Sequence, residues 1–257
     1  MSGYEIINNN YFDMKNLGWI LLLLLGTTLP AAAQESFTAD RPGASTGPAT
    51  VSRGIFQLEQ GLQYDGGDEG ESFTFSNTLF RYGVLKGFEL RLGGDLYLQD
   101  KDCYFTGLNL GTKIALFEGQ GAIPAISVLA QCPIPGTMSD EIKVDKFAPS
   151  LYLLFENPLS DRLSLGYNVG AEWSDIQKRP TAFVALCLGI SLTDRLGCFV
   201  ENYNYFHADE NAYFADWGIN YMLCDRLQLD VAANIDLKAP SRSWAVSMGV
   251  AWQINRP

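Results

Sequence analysis

The sequence predicts an all-β fold: a transmembrane antiparallel β-barrel of about twelve strands that follows a cleaved signal peptide. Three observations predict it. An export signal stands near the start of the chain. After it, segments of about ten residues alternate large apolar side chains with small or polar ones, the length and period of a tilted membrane-crossing strand. The positions between the apolar ones carry glycine, amide and acid, which suits a crowded interior better than a face open to bulk water. Residues 160–173 show the pattern: Leu163, Leu165, Tyr167, Val169, Ala171 and Trp173 alternate with Ser164, Gly166, Asn168, Gly170 and Glu172.

The chain has 257 residues, room for one large all-β domain. Its formal net charge of −11 excludes nucleic acid as a partner, since phosphates need a basic surface. With 47% hydrophobic residues it is not disordered. Lys15, the apolar run at 17–29 and Ala31-Ala32-Ala33 make a basic, apolar and cleavage-site series, so residues 1–33 are expected to be a signal peptide. Met14-Lys15 reads as the true start, with 1–13 a mis-annotated extension. Residues 34–53 are expected to form a periplasmic N-terminal segment, and 54–257 the barrel.

Strands are expected at about 54–65, 71–83, 87–99, 104–117, 121–133, 146–156, 162–173, 181–193, 196–205, 212–223, 226–237 and 242–254. The alternation is clear in 88–99, 227–237 and 244–254 and weak in 71–83 and 196–205. Asp-Arg-Leu recurs at 161–163, 194–196 and 225–227, each time at a turn. These short turns alternate with longer connections at 133–145, 175–180 and 207–211, the asymmetry of short periplasmic turns and longer external loops. The apolar face then meets lipid. Tyr64, Tyr82, Trp173, Trp217, Tyr221, Trp244 and Trp252 are expected to form interfacial girdles.

By parity Glu59, Arg81, Glu89, Arg91, Asp95, Lys113, Glu172, Glu201, Asp216 and Asp230 point into the lumen. A charge facing lipid at mid-depth would cost about 2–4 kcal/mol. Two roles compete for these residues: pairing that holds the wall in register, which the interleaved signs favour, and a path that selects solutes. Arg81, Arg91 and Lys113 come from adjacent strands, with Glu59 and Glu89 placed to pair with them.

No catalytic set emerges. His207, the one histidine, falls in an expected external loop without a serine partner at motif spacing, and so reads as a solvated loop residue. Asp65-Gly66-Gly67-Asp68-Glu69-Gly70-Glu71 lacks the order of a calcium loop and reads as an acidic hairpin. The five cysteines show no CxxC spacing, so no metal site is expected; Cys103 and Cys132 are the one pair placed to be tested for a bridge. No cofactor is expected.

Thr38-Ala39-Asp40-Arg41-Pro42-Gly43 with Ser45-Thr46-Gly47, then Gly54 to Gly61, Arg81-Tyr82-Gly83, Glu89-Leu90-Arg91, Gly111-Thr112-Lys113 and Gly166 to Gly170, resemble the MetA-pathway phenol-degradation family of outer-membrane barrels, in its Bacteroidota-like form. The resemblance spans almost the whole mature chain. It implies a porin-like passive transporter or narrow channel in the outer membrane of a Gram-negative cell, for small solutes that include aromatic or apolar ones. The alternatives are a non-transporting structural or surface barrel and a barrel hydrolase. Ser247, Gly249, Trp252 and Ile254 resemble the C-terminal assembly signal of such barrels. Outer-membrane lipids and the barrel assembly machinery are therefore the expected partners.

Overall fold

The computed structural model describes residues 37–68, 70–143, 146–175, 177–238 and 243–254. The signal peptide expected at 1–33 lies outside them. Thirteen strands form one sheet: β1 (Phe56–Gly66), β2 (Ser72–Leu85), β3 (Phe88–Gln99), β4 (Asp102–Phe105), β5 (Asn109–Gln120), β6 (Ile123–Pro133), β7 (Ser150–Ser160), β8 (Leu163–Glu172), β9 (Thr181–Ser191), β10 (Leu196–Phe206), β11 (Asn211–Cys224), β12 (Leu227–Asp236) and β13 (Trp244–Gln253). All ladders are antiparallel, and pairing of β1 with β13 closes the wall. Closure gives each of the twelve wall strands a neighbour on both sides, which a bilayer demands of β structure.

Twelve strands make the wall and β4 does not. It pairs only with Leu96–Gln99, beyond the stretch of β3 that pairs with β5. The single strand expected over 104–117 is thus two pieces. Gly107 turns the backbone through the left-handed region at φ 86°, while the Thr106 hydroxyl accepts the Asp95 N–H at 2.9 Å. The β3–β4 hairpin turns on Asp100 and Lys101, whose φ values of 51° and 76° match a two-residue turn of primed type.

The two faces are inverted relative to a soluble protein. On β12, Gln228, Asp230, Ala232 and Asp236 are buried, whereas Leu229 and Val231 are 42% and 52% exposed. On β9, Phe183 and Ala185 are buried and Val184, Leu186 and Leu188 are exposed. Aliphatic side chains cover the outside, with Tyr64, Tyr82, Trp217, Tyr221, Trp244 and Trp252 among the exposed residues. Charge is inside and hydrocarbon outside, the arrangement of a barrel that spans a membrane.

One end of the barrel has tight turns at Lys86-Gly87, Gly121-Ala122, Asp161-Arg162, 192–195 and Asp225-Arg226; the other has longer connections. Two of the Asp-Arg-Leu turns are closed by the preceding hydroxyl. Ser160 Oγ accepts the N–H of Arg162 and Leu163 at 3.2 and 3.1 Å, and Thr193 Oγ1 accepts those of Arg195 and Leu196 at 3.2 and 2.9 Å.

Candidate functional site

The segment expected in the periplasm is instead folded into the lumen, which corrects the placement of residues 37–53. Gln57 donates to the Thr38 carbonyl at 2.7 Å, and the N–H groups of Asp40 and Arg41 donate to Glu59 at 3.2 Å. The chain then crosses the barrel. Ala44 and Ser45 N–H donate to Glu201 Oε1 at 2.9 and 3.0 Å, and Thr46 exchanges two bonds with Asn168. Ser127 takes the Pro48 carbonyl, Lys113 those of Gly47 and Ala49, and Val51 N–H reaches Glu89 at 2.7 Å. The physical reason is polar satisfaction: buried wall carboxylates need donors, and the backbone of this segment supplies them.

Arg81 closes the loop at its neck. It is fully buried and donates to the carbonyls of both Thr38 and Ala49, at 3.1 and 3.4 Å. Residues 38–49 therefore form a compact loop whose two ends meet on one guanidinium. The same guanidinium binds Glu59 and Glu89, each at 2.7 Å. Asp40 completes the cluster against Arg81 at 3.4 Å, Lys113 at 2.9 Å and Arg91. Three cations thus face Asp40, Glu59 and Glu89. Burial opposes charge on Asp40, but Arg81, Lys113 and Arg91 outweigh it and hold the carboxyl well below the usual carboxylate range.

Arg41 makes the second anchor, with Asp230 at 3.0 Å and Asn77 at 3.2 Å. Its side chain lies over Gly61 and Gly249, which face each other across β1 and β13; a Cβ at either would collide with the guanidinium. Gly83 serves the end of the segment in the same way, because Val51 and Ser52 carbonyls occupy the space of a side chain there.

Of the ten charged candidates, Glu59, Arg81, Glu89, Arg91, Lys113, Glu201, Asp216 and Asp230 are buried in the lumen. Asp95 is half-buried and bonded to Asn77, and Glu172 is half-buried and takes the Tyr152 hydroxyl at 2.8 Å. The structure brings Arg81, Arg91, Lys113, Glu59 and Glu89 together around Asp40, and places Glu172, Glu201 and Asp216 on the far wall. Of the C-terminal candidates, Trp252 and Ile254 are exposed on the exterior, Ser247 is half-buried and Gly249 faces Arg41.

The inner aromatics are a feature the sequence reading missed. Tyr152, Phe183, Tyr203, Tyr205 and Phe214 pack together, with Tyr203 stacked on Phe214 at 4.9 Å and Phe183 against Tyr205 at 5.2 Å. Parity held the signal: Tyr203 and Tyr205 share the face of Glu201, and Phe214 that of Asp216. Cavities of about 280 and 240 Å³ flank the lumen loop, and one of about 110 Å³ lies beside the aromatics.

Elsewhere His207 lies in an exposed loop, its Nδ1 accepting the Asp209 N–H at 3.3 Å. Asp65 is tied into the first hairpin by Gln63 and Ser72. All five cysteines are free, Cys103 and Cys132 included. Among the described residues no group of three or more His, Cys, Asp or Glu is placed to hold a metal ion.

A closed twelve-strand barrel, apolar outside and charged within, with its own N-terminal segment folded across the lumen, is an internally plugged transmembrane barrel. The chain belongs to the family described as putative MetA-pathway of phenol degradation, whose model matches residues 39–254 and so includes most of the lumen loop. Solved structures share the fold. An outer membrane channel from Pseudomonas putida F1 superposes with a TM-score of 0.61 at 11% identity, over 82% of this chain and 98% of that one. The NanC porin gives 0.57 at 8% identity, over 77% and 100%. The KdgM porin, solved in complex with disordered oligogalacturonate, gives 0.56 at 11%, over 77% and 99%. No curated protein sequence matches the chain.

Proposed function

We propose that this protein is an outer-membrane channel for small solutes, aromatic or apolar ones among them, and that the loop from Thr38 to Ala49 is its gate. The short-turn end faces the periplasm and the long connections face outward. Ser247, Gly249, Trp252 and Ile254 serve recognition by the barrel assembly machinery. No catalytic role is assigned: His207 bonds only with its own loop among the contacts described.

The observation that carries the gate is an asymmetry in how the loop is held. Its ends are fixed by ion pairs of Asp40 and Arg41 and by Arg81. Its middle, Ala44 to Thr46, is held by hydrogen bonds to Glu201 and Asn168 with no ion pair. A loop anchored firmly at its neck and more weakly at its crown can swing open without leaving the barrel. Cavities already lie on both sides of the crown. The named channel and porins of like fold support transport as the task.

A disulfide lock tests it. Ser45 and Cys187 on β9 line the same cavity, Ser45 bonded to Glu201 and Cys187 the cross-strand partner of Glu201. Ser45→Cys, in a chain whose other four cysteines are alanine, should bridge to Cys187 on oxidation and silence conductance in a planar bilayer, with reduction restoring it. Equal current in the two redox states, with the bridge verified, would show that the crown does not move. No current in either state would remove the channel reading.

A further inference from the structure

The lumen is divided by charge. The wall's basic residues are Arg81 on β2, Arg91 on β3 and Lys113 on β5; strands β6 to β13 contain no Lys or Arg. Those three cations are matched by Asp40, Glu59 and Glu89, and Arg41 by Asp230. On the opposite wall Glu156, Glu172, Glu201 and Asp216 have no basic partner among the described ion pairs.

Strand register orders that wall into levels. Glu156, Gly166, Cys187, Glu201 and Asp216 are mutual cross-strand partners on β7 to β11, beside the crown of the loop. Two steps further toward the long connections come Leu154, Asn168, Ala185, Tyr203 and Phe214, then Tyr152, Gly170, Phe183 and Tyr205. Glu172 stands beyond, opposite Ser150 and Thr181. Carboxylates thus lie on both sides of an aromatic band. The cavity of about 110 Å³ opens on Glu172, Tyr152, Phe183 and Tyr205 and has no Lys or Arg in its lining. At the inner end Asp216 is 4% exposed, and its Oδ1 has no hydrogen-bond partner.

We propose that this wall is a binding track for small organic cations, an ammonium group on an aromatic or short aliphatic stem. This rests on the channel reading and adds its charge preference. Aromatic faces attract an ammonium through the ring quadrupole, and the attraction grows when the site is dry. Glu172 receives the cation at the outer mouth, the ring faces carry it past Asn168, and Asp216 offers its unpartnered Oδ1 to the ammonium N–H. A carboxylate solute meets repulsion at both ends. A divalent metal ion binds poorly there, because ring faces cannot replace its tightly held water ligands.

The test uses the full mature protein in a planar bilayer. In a KCl gradient the reversal potential should show K⁺ more permeant than Cl⁻. Benzylammonium added on the long-connection side should block K⁺ current, while benzyl alcohol and benzoate should not. Asp216→Asn and Glu172→Gln should each weaken block about tenfold, the loss of one tenfold step in affinity. Glu172 makes no bond to the loop in the contacts described, so its variant tests the track even if Asp216→Asn folds poorly. Equal permeability of the two ions, or block by benzoate as strong as by benzylammonium, overturns the track and leaves the channel. No current in any salt overturns the channel reading and the track with it.

Discussion

Arg81 touches more of the lumen than any other cation, binding two wall carboxylates, Asp40 and both ends of the loop. Removing one member of a buried charge network costs about 3–5 kcal/mol, because the partners stay behind uncompensated. Arg81→Ala should therefore lower the temperature at which the heat-modifiable folded band is lost, and raise conductance by freeing the neck of the loop. Arg81→Lys should rescue little, since an ammonium cannot reproduce the fork that reaches both Glu59 and Glu89. Unchanged melting in Arg81→Ala would show the network to be idle. Asp40 adds a pH dependence whose sign is fixed by its lowered carboxyl. A depressed folded-state value gives stability that is full above the ordinary carboxylate range and is lost as pH falls through it toward the folded value. Wild-type thermal stability should thus decline on strong acidification, and Asp40→Asn should flatten that decline; parallel pH profiles would sink the assignment. The wall charges were legible by parity, because a charge on the lipid side is so costly. Asp40 was not, since the segment that carries it has no periodic pattern from which to read a face.

The strands and turns were the most readable part of the chain, and the reasons are local. Ser160-Asp-Arg-Leu163 and Thr193-Asp-Arg-Leu196 repeat because the same hydroxyl closes the same tight turn. The stretch at 104–117 misled because apolar alternation runs on through Thr106–Leu108, while Gly107 breaks the ladder with a backbone conformation that hydropathy does not register. Orientation follows from the turns. In a cysteine-free background, Asp209→Cys on the long-connection end should react with an impermeant maleimide on intact cells, and Asp161→Cys should react only after the outer membrane is opened. The reverse pattern would invert the barrel. At β13 two explanations of Gly249 can be separated. If it makes room for Arg41, Gly249→Ala should reduce folding yield in the native chain and far less when Arg41 is already alanine. Equal loss in both backgrounds would assign Gly249 to assembly.

At the scale of the whole molecule, barrel and loop are separable contributions. The barrel is held by a closed ladder whose strands all begin at or after Phe56, and its exterior apolar surface is matched to lipid. The loop is held by the lumen charges, so the barrel organises the loop rather than the reverse. The sequence made the first legible and hid the second. A strand announces its partners by period, whereas Thr38–Ala49 is a run of mostly small and polar residues without period, as a periplasmic leader would also be. Its bonds to Glu201 and Asn168, and the meeting of Thr38 and Ala49 on one guanidinium, reveal it as a lumen loop. Deleting residues 37–53 behind an intact export signal should therefore leave a folded, heat-modifiable barrel in the outer membrane. Its thermal stability should fall, because Lys113, Arg91 and Arg81 lose Asp40, and Glu201 loses its amide donors. Its conductance should rise to a steady open level, well above the wild-type current. A deletion variant that fails to fold at all would mean the loop templates the barrel during assembly. A folded variant with wild-type conductance would mean that the route through the protein runs somewhere the loop does not obstruct.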